Sequence, residues 1–167
     1  MIMKLTREDI LKIQEEIDYR KGTLRQELLT HLREARAQGD LSENFEYTMA
    51  KRQNNQNNSR VRYLENMIRT AQVIEDRSAA DEVGLGKSVT IYIPEDDEEE
   101  TYKIVTSIRG DSMQGRISDQ SPLGRALMGH HVGDTITVAV NDSCSYEAII
   151  RRIEILPDDN SDGIRQY

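Results

Sequence analysis

An α+β chain is expected, helices first and strands second, and three observations carry that expectation. Apolar residues recur at 3-4 spacing from Ile10 to Ala35 and again from Val61 to Ile74. The two stretches are joined by a break of only a few residues after Gly39. Beyond Gly86 the period changes, and runs rich in β-branched residues and tyrosine replace the helical seams. Long helices joined by so short a break run antiparallel, so residues 1–77 are read as a coiled-coil helical hairpin, each arm about 45 Å long. Residues 78–86 are expected to form a linker, residues 87–157 a small, mostly antiparallel sheet domain with one short helix, and residues 158–167 a flexible tail.

The first helix has Thr6 as its N-cap, with Asp9 in the third helical position as the partner of a capping box. Ile10, Ile13, Ile17, Leu24, Leu28, Leu32 and Ala35 form its seam. The seam skips once near Gly22, where a bend is expected, because a mid-helix glycine costs about 1 kcal/mol relative to alanine. Gly39 can take the positive φ that ends a helix. The second helix is expected to start at Ser42, a good N-cap, or just after it, and its seam is Val61, Leu64, Ile68, Ala71 and Ile74. The run Gln53-Asn54-Asn55-Gln56-Asn57-Asn58 is poor helix by propensity. It is still read as helix, because the apolar pattern resumes in phase beyond it, and it is expected to be the least stable part of the arm.

In the second half, Val89–Ile93 and Tyr102–Ile108 are expected strands, with the acids from Glu95 to Glu100 as a solvated hairpin loop. Gly115–Ser118 is a third short strand. Ser121-Pro122 gives an N-cap followed by proline at the first helical position, and Gly129 ends the short helix. Thr135–Val140 and Tyr146–Leu156 complete the sheet across an Asn141-Asp142-Ser143 turn.

Composition narrows the function classes. The apolar fraction is 37% and the charged fraction 31%, which suits a long arm and a small domain better than one compact sphere. No opening run is long enough for a signal peptide and no stretch could span a membrane, so a cytoplasmic, bacterial-type setting is expected, with no membrane partner. One cysteine, Cys144, allows no disulfide framework and no zinc cluster. The net charge of −8 is uneven: residues 1–77 hold 14 Lys/Arg and 13 Asp/Glu, and the rest hold 8 and 17. A chain this acidic is not a whole-surface duplex binder, but the nearly neutral arm leaves room for a local nucleic-acid contact.

No triad of nucleophile, base and acid has a believable spacing. His31 reads as a helix residue, His130-His131 as a plain turn, and Cys144 as a passive thiol. The residues that remain are Asp40 and Glu43, at the expected tip of the hairpin. They read in two ways. Acids belong in the first turn of a helix, where they meet the positive end of the dipole. Alternatively, two carboxylates on a narrow tip form half of a Mg²⁺ site, too weak alone and completed by a partner.

The run from Leu32 to Tyr47, centred on Gly39-Asp40-Leu41-Ser42-Glu43-Asn44, resembles the tip signature of the bacterial Gre transcript-cleavage factors. Ala71-Gln72-Val73-Ile74 resembles the end of their second helix. Ser121-Pro122-Leu123-Gly124-Arg125-Ala126-Leu127-Met128-Gly129, followed by Val132-Gly133-Asp134, resembles their C-terminal signature. The matches cover nearly the whole chain in order, and the lack of one large continuous basic patch tilts the resemblance to the GreA type.

The resemblance implies an FKBP-like C-terminal domain. It implies a monomeric factor, not itself an enzyme, whose coiled coil enters the secondary channel of bacterial RNA polymerase. There it stimulates the polymerase's own cleavage of the 3′ end of backtracked RNA. Asp40 and Glu43 match the acids that help hold a Mg²⁺ of the polymerase active centre, and no Mg²⁺ is expected on the isolated protein. Gly39, Leu41, Ser42, Asn44 and Phe45 match positions that shape the tip. Arg36 and Lys51 match a small basic spot near the transcript, and a fold near residue 41 would set them at similar heights. Ser121 and Pro122 match the segment that docks on the channel rim. Phe45 stands where many members have alanine. Two alternatives remain: a non-cleaving relative that enters the same channel and inhibits, and an FKBP-like isomerase or chaperone. The first would alter the tip, which is intact, and the second needs an aromatic-lined pocket, for which residues 78–167 offer only four tyrosines.

Overall fold

The computed structural model describes residues 2–39, 44–156 and 163–164. The chain divides into two compact units, Met1–Val73 and Ile74–Tyr167.

The first unit contains β1 (Lys4–Leu5), α1 (Arg7–Lys21), α2 (Thr23–Arg36), α3 (Phe45–Thr70) and β2 (Gln72–Val73). Thr6 and Asp9 form the expected capping box: the Thr6 Oγ1 accepts from the Asp9 N–H at 3.2 Å, and the Asp9 carboxylate accepts from the Thr6 N–H at 3.0 Å. The bend expected at Gly22 is a full break between α1 and α2. Ile13, Ile17, Ala35, Ala50, Val61, Leu64 and Met67 are buried in this unit. Met67, not the expected Ile68, is the more deeply placed.

The Asn/Gln run is helical throughout, inside α3, and its polarity is used. Asn57 is buried, and its Nδ2 donates to the Arg20 carbonyl at 2.9 Å while its Oδ1 accepts from the Arg20 guanidinium at 3.1 Å. Arg20 lies in the last turn of α1, where carbonyls lack intrahelical donors, so Asn57 satisfies the break from across the hairpin. Glu16 adds two ion pairs, to Arg20 at 3.2 Å and to Arg60 at 3.3 Å. The unit closes where its ends meet, because β1 pairs in parallel with β2, Lys4 with Gln72 and Leu5 with Val73. The resemblance had placed Ala71–Ile74 at a helix end. The helix stops at Thr70, and Gln72 and Val73 are strand.

The second unit contains β3 (Lys87–Ile93), β4 (Glu98–Val105), β5 (Arg116–Ser118), α4 (Pro122–Leu127), β6 (Thr135–Asn141) and β7 (Cys144–Ile155). The sheet order is β5-β4-β3-β7-β6. All neighbours are antiparallel except β4 and β5, so the sheet is mixed. Its core is Val83, Val89, Ile91, Ile93, Ile104, Leu127, Ile136, Val138, Ala148 and Ile150. The acidic loop is shorter than expected. Glu98, Glu99 and Glu100 belong to β4, opposite Ile93, Tyr92 and Ile91, and only residues 94–97 turn.

Residues 78–86, expected as a linker, are built into this unit. Val83 is 1% exposed in the core, and the Val83 N–H donates to the His130 carbonyl at 2.8 Å. The buried Lys87 ammonium donates to the Ser78 Oγ at 2.8 Å, the Glu82 carbonyl at 2.9 Å and the Ala79 carbonyl. Three donors meet three acceptors, which fixes the loop around the cation. Gly84 allows this closeness, since a Cβ there would lie 1.9 Å from the Ser78 Oγ.

Candidate functional site

The end of the hairpin is fixed from both sides by one amide. Asn44 is the N-cap of α3: its Oδ1 accepts from the Tyr47 N–H at 3.0 Å. Its Nδ2 donates to the Ala35 carbonyl, in the last turn of α2, at 2.6 Å. The Asn44 carbonyl accepts from the Thr48 N–H at 3.1 Å and the Thr48 hydroxyl at 3.2 Å. Asn44 thus ties the C-terminus of one helix to the N-terminus of the next. Gly39, with φ +120°, carries the chain out of α2. A Cβ there would meet nothing, so conformation and not space calls for glycine.

The expected N-cap was Ser42, and the helix instead starts after Asn44. The two residue types cap about equally well, so composition could not separate them. Asp40, Leu41, Ser42 and Glu43 lie outside the described residues. By chain connectivity they join Gly39 to Asn44. Phe45 is the first residue of α3 and is 85% exposed. Arg36, the last residue of α2, and Lys51 are both exposed.

The two cations are not at similar heights. The Ala35–Asn44 and Arg20–Asn57 bonds fix the register of the arm. That register sets Lys51 opposite about residue 27, so Arg36 lies nearer the tip by roughly 13 Å at 1.5 Å per residue.

In the second unit, Ser121 caps α4. Its Oγ accepts from the Gly124 N–H at 3.0 Å and donates to the Ser118 carbonyl at 2.6 Å. Pro122 follows at the first helical position and is exposed. Gly124 was not foreseen as a positioning residue. A Cβ on it would sit 2.0 Å from the Ser118 oxygen, so glycine alone lets the turn close. Ser121 borders a groove of about 860 Å³, whose lining among the described residues includes Ser107, Ser112, Arg116 and Ser118 and no aromatic ring. In the turn after α4, Asp134 accepts from the His131 N–H at 2.8 Å and lies 3.3 Å from the His130 ring. These bonds, with the backbone donor the stronger, hold its carboxyl below the usual range.

Among the described residues, no group of three or more His, Cys, Asp or Glu could hold a metal ion. No helix among them is long and apolar enough to cross a membrane.

A stapled helical hairpin and a mixed-sheet unit with an exposed Ser-Pro helix start define a two-unit α+β class without a recognisable catalytic set of its own among the described residues. The comparisons place the chain within that class. Residues 3–73 match the family model "Transcription elongation factor, N-terminal", and residues 78–155 match "Transcription elongation factor, GreA/GreB, C-term". The chain is 46% identical to transcription elongation factor GreA of Geobacillus kaustophilus over 135 residues, 80% of this chain and 85% of that one. It is 42% identical to GreA of Bacillus subtilis over 82% of this chain and 87% of that one. Among solved structures, the GreA factor homolog 1 (Gfh1) protein of Thermus thermophilus is similar at 24% identity and a TM-score of 0.42, covering 92% of this chain and 98% of that one. The chain belongs to the GreA/GreB family of transcription elongation factors, and its relatives above are of the GreA type.

Proposed function

We propose that this elongation factor inserts its helical arm into the secondary channel of bacterial RNA polymerase and stimulates cleavage of backtracked RNA by the polymerase's own active centre. The observation that supports this reading is the Asn44 staple. A narrow hairpin end is held by bonds to both helices, and the short segment between Gly39 and Asn44 carries Asp40 and Glu43. Cleavage is the polymerase's chemistry in this reading, and the chain supplies ligands and position.

The donor set fits Mg²⁺: two carboxylates are hard oxygen ligands, and two alone leave most of an octahedral shell to a partner. Bound there, the ion would supply Lewis-acid activation of water. Asp40 and Glu43 would each offer oxygen, and Gly39 and Asn44 would hold the ends of the segment that presents them. Leu41, Ser42 and Phe45 complete the tip. Arg36, nearer the tip, would meet the 3′ end of the RNA, and Lys51 a part of the transcript further back. Ser121 and Pro122 would dock on the channel rim, where the capped, exposed turn offers a fixed surface. The setting is the bacterial cytoplasm, and one copy of the chain suffices.

The test is the cleavage rate of a stalled elongation complex against Mg²⁺ concentration, for the natural chain and for Asp40→Asn with Glu43→Gln. The neutral pair keeps the shape but loses the charge that attracts the ion. Stimulated cleavage should fall by orders of magnitude at limiting Mg²⁺, recover partly at high Mg²⁺, and leave competition for the channel unchanged. Equal rates at limiting Mg²⁺ would overturn a metal-holding role for both residues.

A further inference from the structure

One exposed face of α3 carries a stripe that the tip acids do not account for. Phe45, Met49, Arg52 and Gln56 stand at i, i+4, i+7 and i+11, which share one face of a helix. All four are exposed, Phe45 by 85% and Met49 by 51%. The buried residues Ala50, Asn57, Val61 and Leu64 lie roughly 120° around the helix from it, and towards the C-terminal half the stripe's own side is buried at Arg60 and Met67. Phe45 is the chain's single phenylalanine, and no tryptophan is present.

The electrostatics point to an anionic occupant. From Tyr47 to Leu64 the sequence has no Asp or Glu and holds Lys51, Arg52, Arg60 and Arg62, in a chain of net charge −8. Arg60 is buried beside Glu16, which leaves Lys51, Arg52 and Arg62 at the surface. An aromatic ring, a thioether, a guanidinium and an amide in line are the parts of a single-strand platform. The ring stacks a base, the guanidinium meets phosphate or stacks in turn, and the amide reaches base edges. The stripe is about 16 Å long, enough for a few nucleotides.

We propose that this stripe is a stacking platform for single-stranded RNA, with the base nearest the tip on Phe45 and the phosphate behind it on Arg52. The inference rests on the reading of the arm as a channel-inserted factor, and names the part of the transcript-facing surface that sets RNA affinity. It differs from the basic spot at Arg36 and Lys51, because recognition comes from a ring with one guanidinium and not from charge alone.

The test uses the full chain with a photoreactive benzophenone amino acid in place of Phe45, bound to a backtracked elongation complex with labelled RNA. Irradiation should attach the chain to RNA within a few nucleotides of the 3′ end. Attachment to a polymerase subunit, or to nothing, would overturn the proposal and leave Phe45 as a contact with protein or with solvent. In parallel, Phe45→Leu keeps an apolar side chain but cannot stack, and Arg52→Gln removes the charge. Each should raise the factor concentration needed for half-maximal cleavage about five- to tenfold, a stacking-sized loss. Unchanged values for both, with the natural chain active, would sink the platform while the proposed function stands. If the natural chain stimulates no cleavage, that function fails, and the crosslink alone decides whether the ring meets RNA.

Discussion

At the scale of single residues, Asn44 uses both ends of its amide, so two substitutions separate its roles. Asn44→Asp keeps the acceptor for the Tyr47 N–H and loses the donor to the Ala35 carbonyl. Asn44→Ala loses both and should cost about 1–2 kcal/mol at the hairpin end. Hydrogen exchange of the Tyr47 and Thr48 amides checks this: protection should fall in the alanine variant and persist in the aspartate one. Tyr102 gives a second residue-scale prediction. Burial first, and then the 2.6 Å bond to Glu100, raise its hydroxyl to about 12. The folded state therefore holds that proton more tightly than the unfolded chain, whose tyrosines titrate near 10. The contribution to stability is fully present below pH 10 and is lost as pH rises toward 12. Unfolding followed across that range should show a decline that Tyr102→Phe flattens; an identical decline in the variant would assign it to other groups. Residue types announced the Thr6 and Ser121 caps without ambiguity, because one candidate stood at each start. At the tip, Ser42 and Asn44 were both fit, and only the Ala35 carbonyl across the hairpin decides between them.

At the scale of elements, the second helix shows why propensity underdetermines structure. Its Asn/Gln run lowers helix preference in isolation. In place, Asn57 and Asn58 face α1 and α2 and bond Arg20 and Arg25. Periodicity revealed the apolar seams, the short break and the Gly22 discontinuity, because those depend on spacing within one segment. It could not reveal the polar layer, which depends on which residues meet thirty-seven positions apart. The same limit hid the β1–β2 pair at the ends of the first unit. The expectation that the polar run is the arm's weakest part therefore takes a sharper form. Asn57→Leu keeps the branched shape but leaves the Arg20 carbonyl without that donor, at a cost of about 1–3 kcal/mol. Glu16→Gln removes the shared carboxylate from Arg20 and Arg60, and should cost about 2 kcal/mol, less than a fully buried pair because Glu16 is 22% exposed. Both should lower the urea midpoint and loosen amides on either side of Gly22. If Asn57→Leu is neutral, the Asn–Arg bonds are incidental and the run is held by the helix alone.

At the scale of the whole molecule, the useful question is where the chain can be cut. A change of period at residues 78–86 suggested a linker there, since small and acidic residues with two glycines look like one. Yet Val83 is core, Gly84 admits the Ser78 hydroxyl, and Lys87 gathers three oxygens from that same loop. Along the chain, the boundary between the compact units falls between Val73 and Ile74. A fragment of residues 74–167 should fold cooperatively. A fragment of residues 87–167 loses the burial of Val83, about 1.5 kcal/mol, and the three bonds that the Lys87 ammonium makes to the loop, about another 1 kcal/mol once that ammonium is returned to water. Against a usual total of about 5–15 kcal/mol, that loss should be visible as a clearly lower denaturation midpoint. Separate fragments of the two units test docking. If Ser121 and Pro122 carry it, residues 74–167 should compete with the full chain for polymerase, residues 1–73 should compete far less, and Gly124→Ala in the longer fragment should weaken competition by forcing the Ser118 carbonyl away. Competition by residues 1–73 as strong as that of the full chain would move docking to the arm and leave the Ser-Pro turn a structural cap.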